Sequence, residues 1–429
     1  MTLSRSARYL VYVCFASFSA TAFPQGSLTP PAGPPAPTMK RLDQIEARTV
    51  IDPSQPGFTL PYTISQPGAY YLAGNVTATG ATAGIVIASD DVNLDLNGFA
   101  LTGIVGATRG IDVPAAHRNL TVKNGTVRGW PGGGVRAENA SGSLLEKLCA
   151  SGNSGGVFSA GLAIGDGSLI KDCVSTGNLS SAAGFKSSTN TTVVNSTASS
   201  NAGYGFYLGG TSTITGCTAN ANSVYGILAA TSCTIINCNI SNNAGRGISA
   251  GDACVVNACA VINNAGGGVS ASGSTTVTNC TVNSNTGAGI QVGNGSNVNA
   301  CTAASNSGRG IFAGDGGSIH HCSARANGLD GILVGSTSYL FGNVCDGNNT
   351  SADSLAAGMR CTGDSNRVDS NTCTNNGARG FTFPGVNFVT RNTSRGQTLS
   401  YSVGSGAVIT NGGSAQADPN VNSWTNWAF

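Results

Sequence analysis

The sequence contains little charge. Charged residues make up 9% of its 429 residues, whereas about 25% is usual in a globular protein. The 21 basic and 19 acidic residues nearly cancel, and no basic run follows the first residues, so the electrostatic signature of a nucleic-acid-binding protein is missing. We therefore expect no nucleic-acid partner, and a neutral surface rich in Asn, Ser, Thr and Gly.

Side chains that bind metals or transfer protons are also scarce. No Cys-x-x-Cys pair occurs, so no zinc site is indicated and we expect no metal or other cofactor. A bound Ca²⁺ is the alternative, because carboxylate oxygens bind this ion; its candidate ligands are Asp90, Asp91 and Asp95. We interpret the three histidines as exposed polar residues; they are His117, His320 and His321.

Long apolar runs are missing after the N-terminal segment. The first residues combine Arg5 and Arg8 with the apolar run 9–18 and with Ala20-Thr21-Ala22, which is the pattern of a signal peptide over 1–22. No later stretch approaches the roughly 18 apolar residues of a membrane span. Residues 23–40 contain six prolines and predict an extended linker. We expect a secreted protein, placed in the periplasm, at the cell surface or outside the cell.

Three columns of residues repeat every 21 positions. A Gly followed by an apolar residue recurs at Gly184-Phe185, Gly205-Phe206, Gly226-Ile227, Gly247-Ile248, Gly268-Val269, Gly289-Ile290, Gly310-Ile311 and Gly331-Ile332. An asparagine recurs at Asn201, Asn222, Asn243, Asn264, Asn285, Asn306 and Asn327. A cysteine recurs at Cys217, Cys238, Cys259, Cys280, Cys301 and Cys322. Such a period indicates a solenoid built from stacked coils.

Each coil contains three apolar pairs with a spacing of two. The coil that starts at Ile227 has its apolar or small residues at Ile227, Ala229, Cys233, Ile235, Cys238 and Ile240. Residues two apart lie on one face of a strand, so the pattern predicts three short strands per coil. We expect an all-β, right-handed parallel β-helix of about a dozen coils. A left-handed β-helix would need a six-residue repeat, and leucine-rich repeats would need a helical segment.

The ends of the repeat suggest the domain boundaries. We expect an N-terminal cap at 41–62, the β-helix at 63–396 and a C-terminal cap or tail at 397–429, because an open sheet end invites pairing with another chain. Leu42 and Ile45 share one face of the predicted first cap, and Trp424 and Trp427 lie in the second. The expected assembly state is a monomer.

Several segments resemble a known family. They are Ala36-Pro37-Thr38-Met39-Lys40, Leu42-Asp43-Gln44-Ile45-Glu46, Pro67-Gly68-Ala69-Tyr70-Tyr71-Leu72, Leu94-Asp95-Leu96-Asn97-Gly98 and Asn422-Ser423-Trp424-Thr425-Asn426. They are similar to the opening and closing segments of exported bacterial right-handed parallel β-helix repeat proteins, which share the pectin lyase-like fold. The resemblance implies fold and export. It implies little chemistry, because the Asp-Pro-His-Asp motif of the alginate epimerases is missing.

The repeated columns are best explained by structure. We predict that the asparagines form a ladder at a turn, with each side-chain amide donating to one neighbouring coil and accepting from the other. For the stacked cysteines, disulfides are usual in exported proteins. In-register neighbours lie about 4.8 Å apart, whereas bonded cysteines need Cβ atoms about 3.8 Å apart. We therefore favour buried thiols over disulfides.

One outward surface is the candidate binding site. Exposed aromatic and arginine side chains give sugar rings flat faces and give hydroxyls or carboxylates charged partners. The residues that we expect to line this surface are Tyr204, Tyr207, Tyr225, Arg246, Asp252, Arg309, Phe312, Asp315 and Asp330. Filling of turns and ladders is the alternative explanation.

Three functions are compatible with these observations. The first is a secreted or cell-surface protein that binds or scaffolds polysaccharide without catalytic residues. The second is a polysaccharide lyase or glycoside hydrolase that uses an Arg or Lys base or a pair of carboxylates on the same surface. The third is a structural adhesin or spike. No catalytic residue can be assigned from the sequence, which favours the first function.

Overall fold

The computed structural model describes residues 47–156 and 159–403, together with the strands Val408–Ile409, Gly412–Gly413 and Asn426–Ala428. The expected signal peptide (1–22), the linker (23–40) and cap residues 41–46 lie outside these residues. So do the side chains of the tail beyond residue 403, including those of Trp424 and Trp427. The described residues from Arg48 onward form one compact unit.

The described chain is a parallel β-solenoid with three short strands in most coils. The first strands form a 16-stranded sheet: Tyr62–Ile64, Ile85–Ile87, Ile111–Asp112, Val135–Ala137, Ala160–Ile164, Ala183–Ser187, Phe206–Leu208, Ile227–Ala229, Ile248–Ala250, Val269–Ala271, Ile290–Val292, Ile311–Ala313, Ile332–Val334, Met359–Cys361, Arg379–Phe383 and Leu399–Val403. We call it the first-strand sheet.

The second and third strands together form a 32-stranded sheet. The second strands are Thr49–Ile51, Gly68–Leu72, Val92–Asp95, Leu169–Lys171, Thr192–Val194, Thr213–Thr215, Thr234–Ile236, Val255–Asn257, Thr276–Thr278, Asn297–Asn299, Ser318–His320, Tyr339–Phe341, Arg367–Asp369, Phe388–Thr390 and Val408–Ile409. The third strands are Val76–Thr77, Ala100–Thr102, Val174–Thr176, Thr197–Ser199, Thr218–Asn220, Asn239–Ser241, Ala260–Ile262, Thr281–Asn283, Thr302–Ala304, Ser323–Arg325, Val344–Asp346, Thr372–Thr374, Thr393–Arg395 and Asn426–Ala428.

Two coils merge these strands into one, and a few short strands complete the set. Thr121–Arg128 and Leu144–Ser151 each continue from the second strand into the third. His117–Arg118 pairs with Ala140–Ser141, and Gly412–Gly413 pairs with Asn426–Ala428. The expectation of about a dozen coils is therefore too low, because 16 first strands are present. Insertions in the outer coils lengthen the 21-residue period and hide these coils from a search at fixed spacing.

Each coil bends at residues in the left-handed region. In the coil of Ile227, the backbone φ angles are +58° at Ser232, +52° at Asn237 and +56° at Asn242. Short polar residues tolerate this conformation best among residues with a Cβ. Each bend comes directly before a buried residue, such as Cys233 or Cys238. The bends thus turn the next side chain toward the core.

The glycine column is required by close packing between coils. A Cβ placed on Gly247 would lie 2.3 Å from Val261 Cγ1 and 2.8 Å from Asn264 Nδ2. A Cβ on Gly268 would lie 2.2 Å from Val282 Cγ1. No larger residue fits without displacing the coil that follows, which explains why this column stays glycine while the neighbouring apolar residue varies.

Candidate functional site

The outward side of the first-strand sheet carries two parallel columns of side chains. We call this surface the first-strand face. One column follows the apolar residue of each Gly-apolar pair: Val86, Asp112, Arg136, Ala163, Lys186, Tyr207, Leu228, Ser249, Ser270, Gln291, Phe312, Leu333, Arg360 and Thr382. The other column precedes the glycine: Arg109, Gly133, Ala160, Ala183, Tyr204, Tyr225, Arg246, Gly267, Ala288, Arg309, Asp330, Ala357 and Arg379.

Positive charge is concentrated on these two columns. They contain seven basic residues and two acidic ones, although basic and acidic residues are nearly balanced over the whole chain at 21 and 19. Both acidic residues, Asp112 and Asp330, form ion pairs with arginines of the same face. The face therefore differs in electrostatic character from the rest of the molecule.

Three tyrosines form a contact cluster at the middle of the face. The ring centroid of Tyr204 lies 5.8 Å from that of Tyr207 and 5.7 Å from that of Tyr225. Tyr204 and Tyr207 pack against a small apolar cluster that includes Ala183. The guanidinium of Arg246 lies 6.0 Å from the ring centre of Tyr225. The rings are half-buried, so their orientation is held by their neighbours.

A depression lies on the N-terminal side of the tyrosines. Its volume is about 210 Å³, and it is lined by Arg109, Gly132, Gly133, Val135, Arg136, Glu138, Ser159, Ala160 and Ala163. Arg136 Nε donates to Asp112 Oδ1 at 2.6 Å, and Arg109 Nη1 lies 3.7 Å from Asp112 Oδ2. Lys186 Nζ lies 2.6 Å from Glu138 Oε1. The depression exists because glycines and alanines occupy its floor between charged side chains.

A second group of charges lies toward the C-terminal end. Asp330 Oδ2 accepts hydrogen bonds from Arg360 Nη2 at 2.8 Å and from Arg309 Nε at 3.4 Å, and its Oδ1 accepts from the backbone N–H of Ala357 at 2.9 Å. The Arg309 guanidinium lies 5.5 Å from the ring centre of Phe312. Arg309 and Phe312 thus lie on the first-strand face.

Asp330 differs from the expectation that it lines the surface. Its side chain is 1% exposed. The chain between Ile332 and its partner Met359 is longer than one repeat, and this insertion folds back so that Ser351 N–H donates to the Gly328 carbonyl at 3.0 Å and Ala357 N–H donates to Asp330. A ligand on the face can therefore contact Arg309 and Arg360 more easily than it can contact the buried Asp330.

Asp252 and Asp315 lie at a turn, where their carboxylates accept backbone hydrogen bonds. Asp252 Oδ1 accepts from the Gly273 N–H at 2.9 Å, and Asp315 Oδ1 accepts from the Ser336 N–H at 2.7 Å. Each carboxylate thereby caps the backbone of the following coil. These contacts give both residues a structural role, although their side chains remain exposed.

The histidines and the candidate Ca²⁺ ligands lie apart from the first-strand face. His117 Nδ1 lies 2.9 Å from Asp90 Oδ1, and this hydrogen bond lowers the pKa of Asp90. Asp91 accepts from Asn119, and Asp95 accepts from the Asn97 N–H. Among residues 47–156 and 159–403, no group of three or more His, Cys, Asp or Glu side chains could hold a metal ion.

His320 and His321 lie beside aromatic rings of the next coil. The His320 ring is 5.1 Å from Tyr339, and the His321 ring is 5.4 Å from Phe341. The pKa of His320 is lowered by burial and by the neighbouring His321. These residues belong to the second strands and their bends, on a side of the coil other than the first-strand face.

The asparagine column forms a continuous hydrogen-bonded ladder. Asn243 Nδ2 donates to Asn264 Oδ1 at 2.9 Å, and Asn264 Nδ2 donates to Asn285 Oδ1 at 2.9 Å. The backbone N–H of each asparagine also donates to the Oδ1 of the next, as from Asn243 to Asn264 at 3.1 Å. The ladder extends beyond the exact repeat to Asn153, Asn178, Asn348 and Asn376.

The cysteine column occupies a similar bend. None of the thirteen described cysteines forms a disulfide. Cys238 Sγ lies 3.2 Å from the Ile236 carbonyl, to which the thiol can donate. Farther along, Asn343, Asn371 and Asn392 continue the column with side-chain hydrogen bonds between coils. Burial raises the pKa of the Cys217 thiol to about 12.

Sequence reasoning missed the charged residues at both ends of the face: Arg109, Asp112, Arg136, Glu138, Lys186 and Arg360. The fixed period of 21 does not hold there, except at Lys186, which follows the first Gly-apolar pair of the regular block. A usable signal was present, because Gly-apolar pairs also occur at Gly84-Ile85, Gly110-Ile111, Gly134-Val135, Gly161-Leu162, Gly358-Met359 and Gly380-Phe381. Aligning the coils on this pair at any spacing places these residues on or beside the same two columns.

Comparisons with known proteins agree with this architecture. The model of the family described as "Right handed beta helix region" matches residues 68–215, 116–276 and 269–422. No curated protein sequence matches. In the part of the chain that the structure describes, no helix has the length and hydropathy that crossing a membrane requires.

Several solved structures align with most of the chain at low sequence identity. The A-module of the mannuronan C-5 epimerase AlgE4 from Azotobacter vinelandii is 14% identical, with a TM-score of 0.38 over 80% of this chain and 91% of that one. The AlgE6 A-module from the same organism is 13% identical, with a TM-score of 0.35 over 84% and 89%. Tailspike protein 3 of bacteriophage CBA120 is 11% identical, with a TM-score of 0.40 over 78% and 60%.

Proposed function

Because the chain belongs to the right-handed β-helix family, we propose that it is an exported protein that binds or scaffolds polysaccharide on its first-strand face without catalysing a reaction. Membership of this family confirms the fold expected from the 21-residue repeat. The observation that carries the proposal is the contact cluster of Tyr204, Tyr207 and Tyr225, which lies among the basic side chains of that face.

The tyrosines supply the chemistry that sugar rings require. An aromatic ring offers an apolar face for the C–H side of a sugar, and the phenol hydroxyl offers a hydrogen-bond donor and acceptor at its edge. Packing against Ala183 and against one another limits the rotation of Tyr204 and Tyr207 before a ligand arrives. Less side-chain entropy is then lost on binding.

The acidic groups on and beside the face favour binding over catalysis. A general acid or base must exchange a proton with the substrate. Asp112, Glu138 and Asp330 are instead held in ion pairs with arginine or lysine, and Asp252 and Asp315 accept backbone hydrogen bonds. This arrangement supports a surface that holds a polymer and leaves its bonds intact.

The signal-peptide pattern of residues 1–22 supports the proposed export. Polysaccharides of the cell surface and the surroundings are the polymers that an exported protein of this kind meets. The neutral composition elsewhere, with 9% charged residues, limits non-specific attraction to charged surfaces. We propose that the protein acts outside the cytoplasm as a monomer.

Glycan-array binding tests the proposal. The chain without residues 1–22 should bind a defined set of polysaccharides, and the double variant Tyr204→Ala/Tyr225→Ala should lower the affinity about thirtyfold, because each of the two aromatic contacts contributes about 1 kcal/mol. The matched control is Tyr339→Ala, which removes a tyrosine from a second strand and should leave the affinity unchanged.

Other results of the binding and turnover measurements would favour one of the alternative functions. Unaltered binding by the Tyr204/Tyr225 variant would remove this face as the site. Release of reducing ends or unsaturated sugars over time would indicate the lyase or hydrolase alternative. Absence of both binding and turnover would favour a structural adhesin or spike.

A further inference from the structure

The two ends of the first-strand face repeat one arrangement. At the N-terminal end, Asp112 pairs with Arg109 and Arg136. At the C-terminal end, Asp330 pairs with Arg309 and Arg360. We infer that Asp112 and Asp330 are positioning residues, each of which holds two arginines toward the face, and that one polymer carrying anionic groups is bound at both arginine pairs simultaneously. This inference rests on the proposed function.

The C-terminal pair is firmly oriented. Asp330 is 1% exposed and receives hydrogen bonds from both arginines and from the Ala357 N–H. The Arg309 side chain remains 38% exposed and the Arg360 side chain 19% exposed. A guanidinium has five N–H donors, and the bond to Asp330 uses one nitrogen of each arginine. The remaining donors can bind a carboxylate or sulfate group.

The N-terminal pair borders an open space. The Asp112 side chain is 13% exposed, and both arginines line the depression of about 210 Å³. Gly132, Gly133, Ala160 and Ala163 leave this space unfilled by side chains. An anionic substituent could enter it and approach Arg109 and Arg136, whose orientation Asp112 already restricts.

Charge and spacing together define the ligand. The two columns carry seven basic and two acidic residues, so they attract negative charge. The strands of Asp112 and of the Asp330 coil are ten steps apart in the first-strand sheet, which corresponds to about 48 Å at about 4.8 Å per step. A flexible polymer of that length or more gains avidity by binding both ends, whereas a shorter oligosaccharide binds one end at a time.

Between the two ends, the face offers uncharged or aromatic contacts. The column from Tyr207 to Phe312 contains Leu228, Ser249, Ser270 and Gln291 between those two rings. Apart from Arg309 of the C-terminal pair, Arg246 is the one basic residue of the two columns in this interval. The central part therefore suits sugar rings, and the ends suit their charged substituents.

Binding measurements with acidic polymers of graded length test the inference. The probes are polygalacturonate fractions shorter and longer than the expected span, a sulfated galactan, neutral dextran, and polyglutamate as a polyanion without sugar rings. The variants are Arg109→Gln/Arg136→Gln, Arg309→Gln/Arg360→Gln, and the control Arg325→Gln/Arg395→Gln. The control removes the same charge from third strands.

Each end variant should weaken binding of the long acidic polymers about a hundredfold, and the control should leave it unchanged. Short fractions should bind more weakly than long ones, and each end variant should remove only one of two weak sites. Equal affinity for short and long fractions would overturn two-point binding. Equal loss in the control, or equal binding of polyglutamate, would overturn specific recognition of an acidic polysaccharide.

The positioning role of the aspartates has its own test. Asp330→Asn should weaken binding of the long polymer and reduce its salt dependence, whereas Arg309→Lys should retain part of the affinity because the charge remains. Melting curves recorded in parallel show whether the variants fold. A folded Asp330→Asn variant with wild-type affinity would contradict the role. Neutral dextran binding that depends on Tyr204 and Tyr225 but not on the arginines would leave the proposed function intact and refute only this inference.

Discussion

The side-chain amide of one asparagine joins three successive coils. Asn264 Oδ1 accepts from the side chain and the backbone of Asn243, and Asn264 Nδ2 donates to Asn285 Oδ1 and to the Ile240 carbonyl. The residue is 1% exposed, so water cannot replace these partners. For a single residue, stability therefore depends on an asparagine that is hydrogen-bonded to the asparagines of both adjacent coils.

Replacing Asn264 by alanine should lower the melting temperature. The change leaves Asn243 and Asn285 each without a buried partner, which costs about 1 to 3 kcal/mol. Thermal unfolding followed by circular dichroism measures the effect. Asn239→Ala is the control, because Asn239 is exposed on a third strand. Equal melting curves for Asn264→Ala and the wild type would contradict the ladder, as would loss of polysaccharide binding without any loss of stability.

A strand of three residues in this fold is stabilised mainly by its copies in adjacent coils. Ile235 of Thr234–Ile236 is buried, while its two neighbours in the strand point outward. The strand pairs in register with Thr213–Thr215 on one side and Val255–Asn257 on the other. Apolar contact therefore comes from stacking, and Cys238 and Cys259 serve in it as small buried side chains.

The cysteines should be free and unreactive in the folded protein. Twelve of the thirteen described cysteines are buried, and burial raises the pKa of Cys173 and of Cys217 to about 12, so almost none of these two thiols is ionised at pH 8. A chromogenic thiol reagent should react slowly with the native protein, first at the half-buried Cys149. After unfolding without reductant, all thirteen thiols should react. A count that rises only when reductant is added would show disulfides instead.

Sequence predicted the elements best where the repeat is exact. From Phe206 to Ile332, each Gly-apolar pair begins a first strand, and the inward residues fall where the spacing of two put them. Outside this block, the insertion before Met359 folds back over Asp330. No local sequence pattern predicts this packing. The exposure of Asp330 could not be judged from a strand pattern, since it depends on where that insertion packs.

In the described chain, the regular spacing between stacked coils determines both the stability of the fold and the positions of the side chains in the candidate site. In-register stacking brings Tyr204 over Tyr225 and places the Asp112 and Asp330 groups at opposite ends of one face. Sequence alone could predict the tyrosines, because they lie in the regular block. It could not predict the ion pairs of Asp112 with Arg136 and of Asp330 with Arg360, which join residues 24 and 30 positions apart across coils of unequal length.

The distance between two spin labels tests this stacking most directly. Thr192 and Asn297 lie at the start of second strands five steps apart in the chain of pairings. In a Cys149→Ser background, nitroxide labels on Thr192→Cys and Asn297→Cys should therefore give one narrow distance distribution centred near about 24 Å, at about 4.8 Å per step. A broad distribution, or one centred far from this value, would contradict in-register stacking and with it the two-ended face.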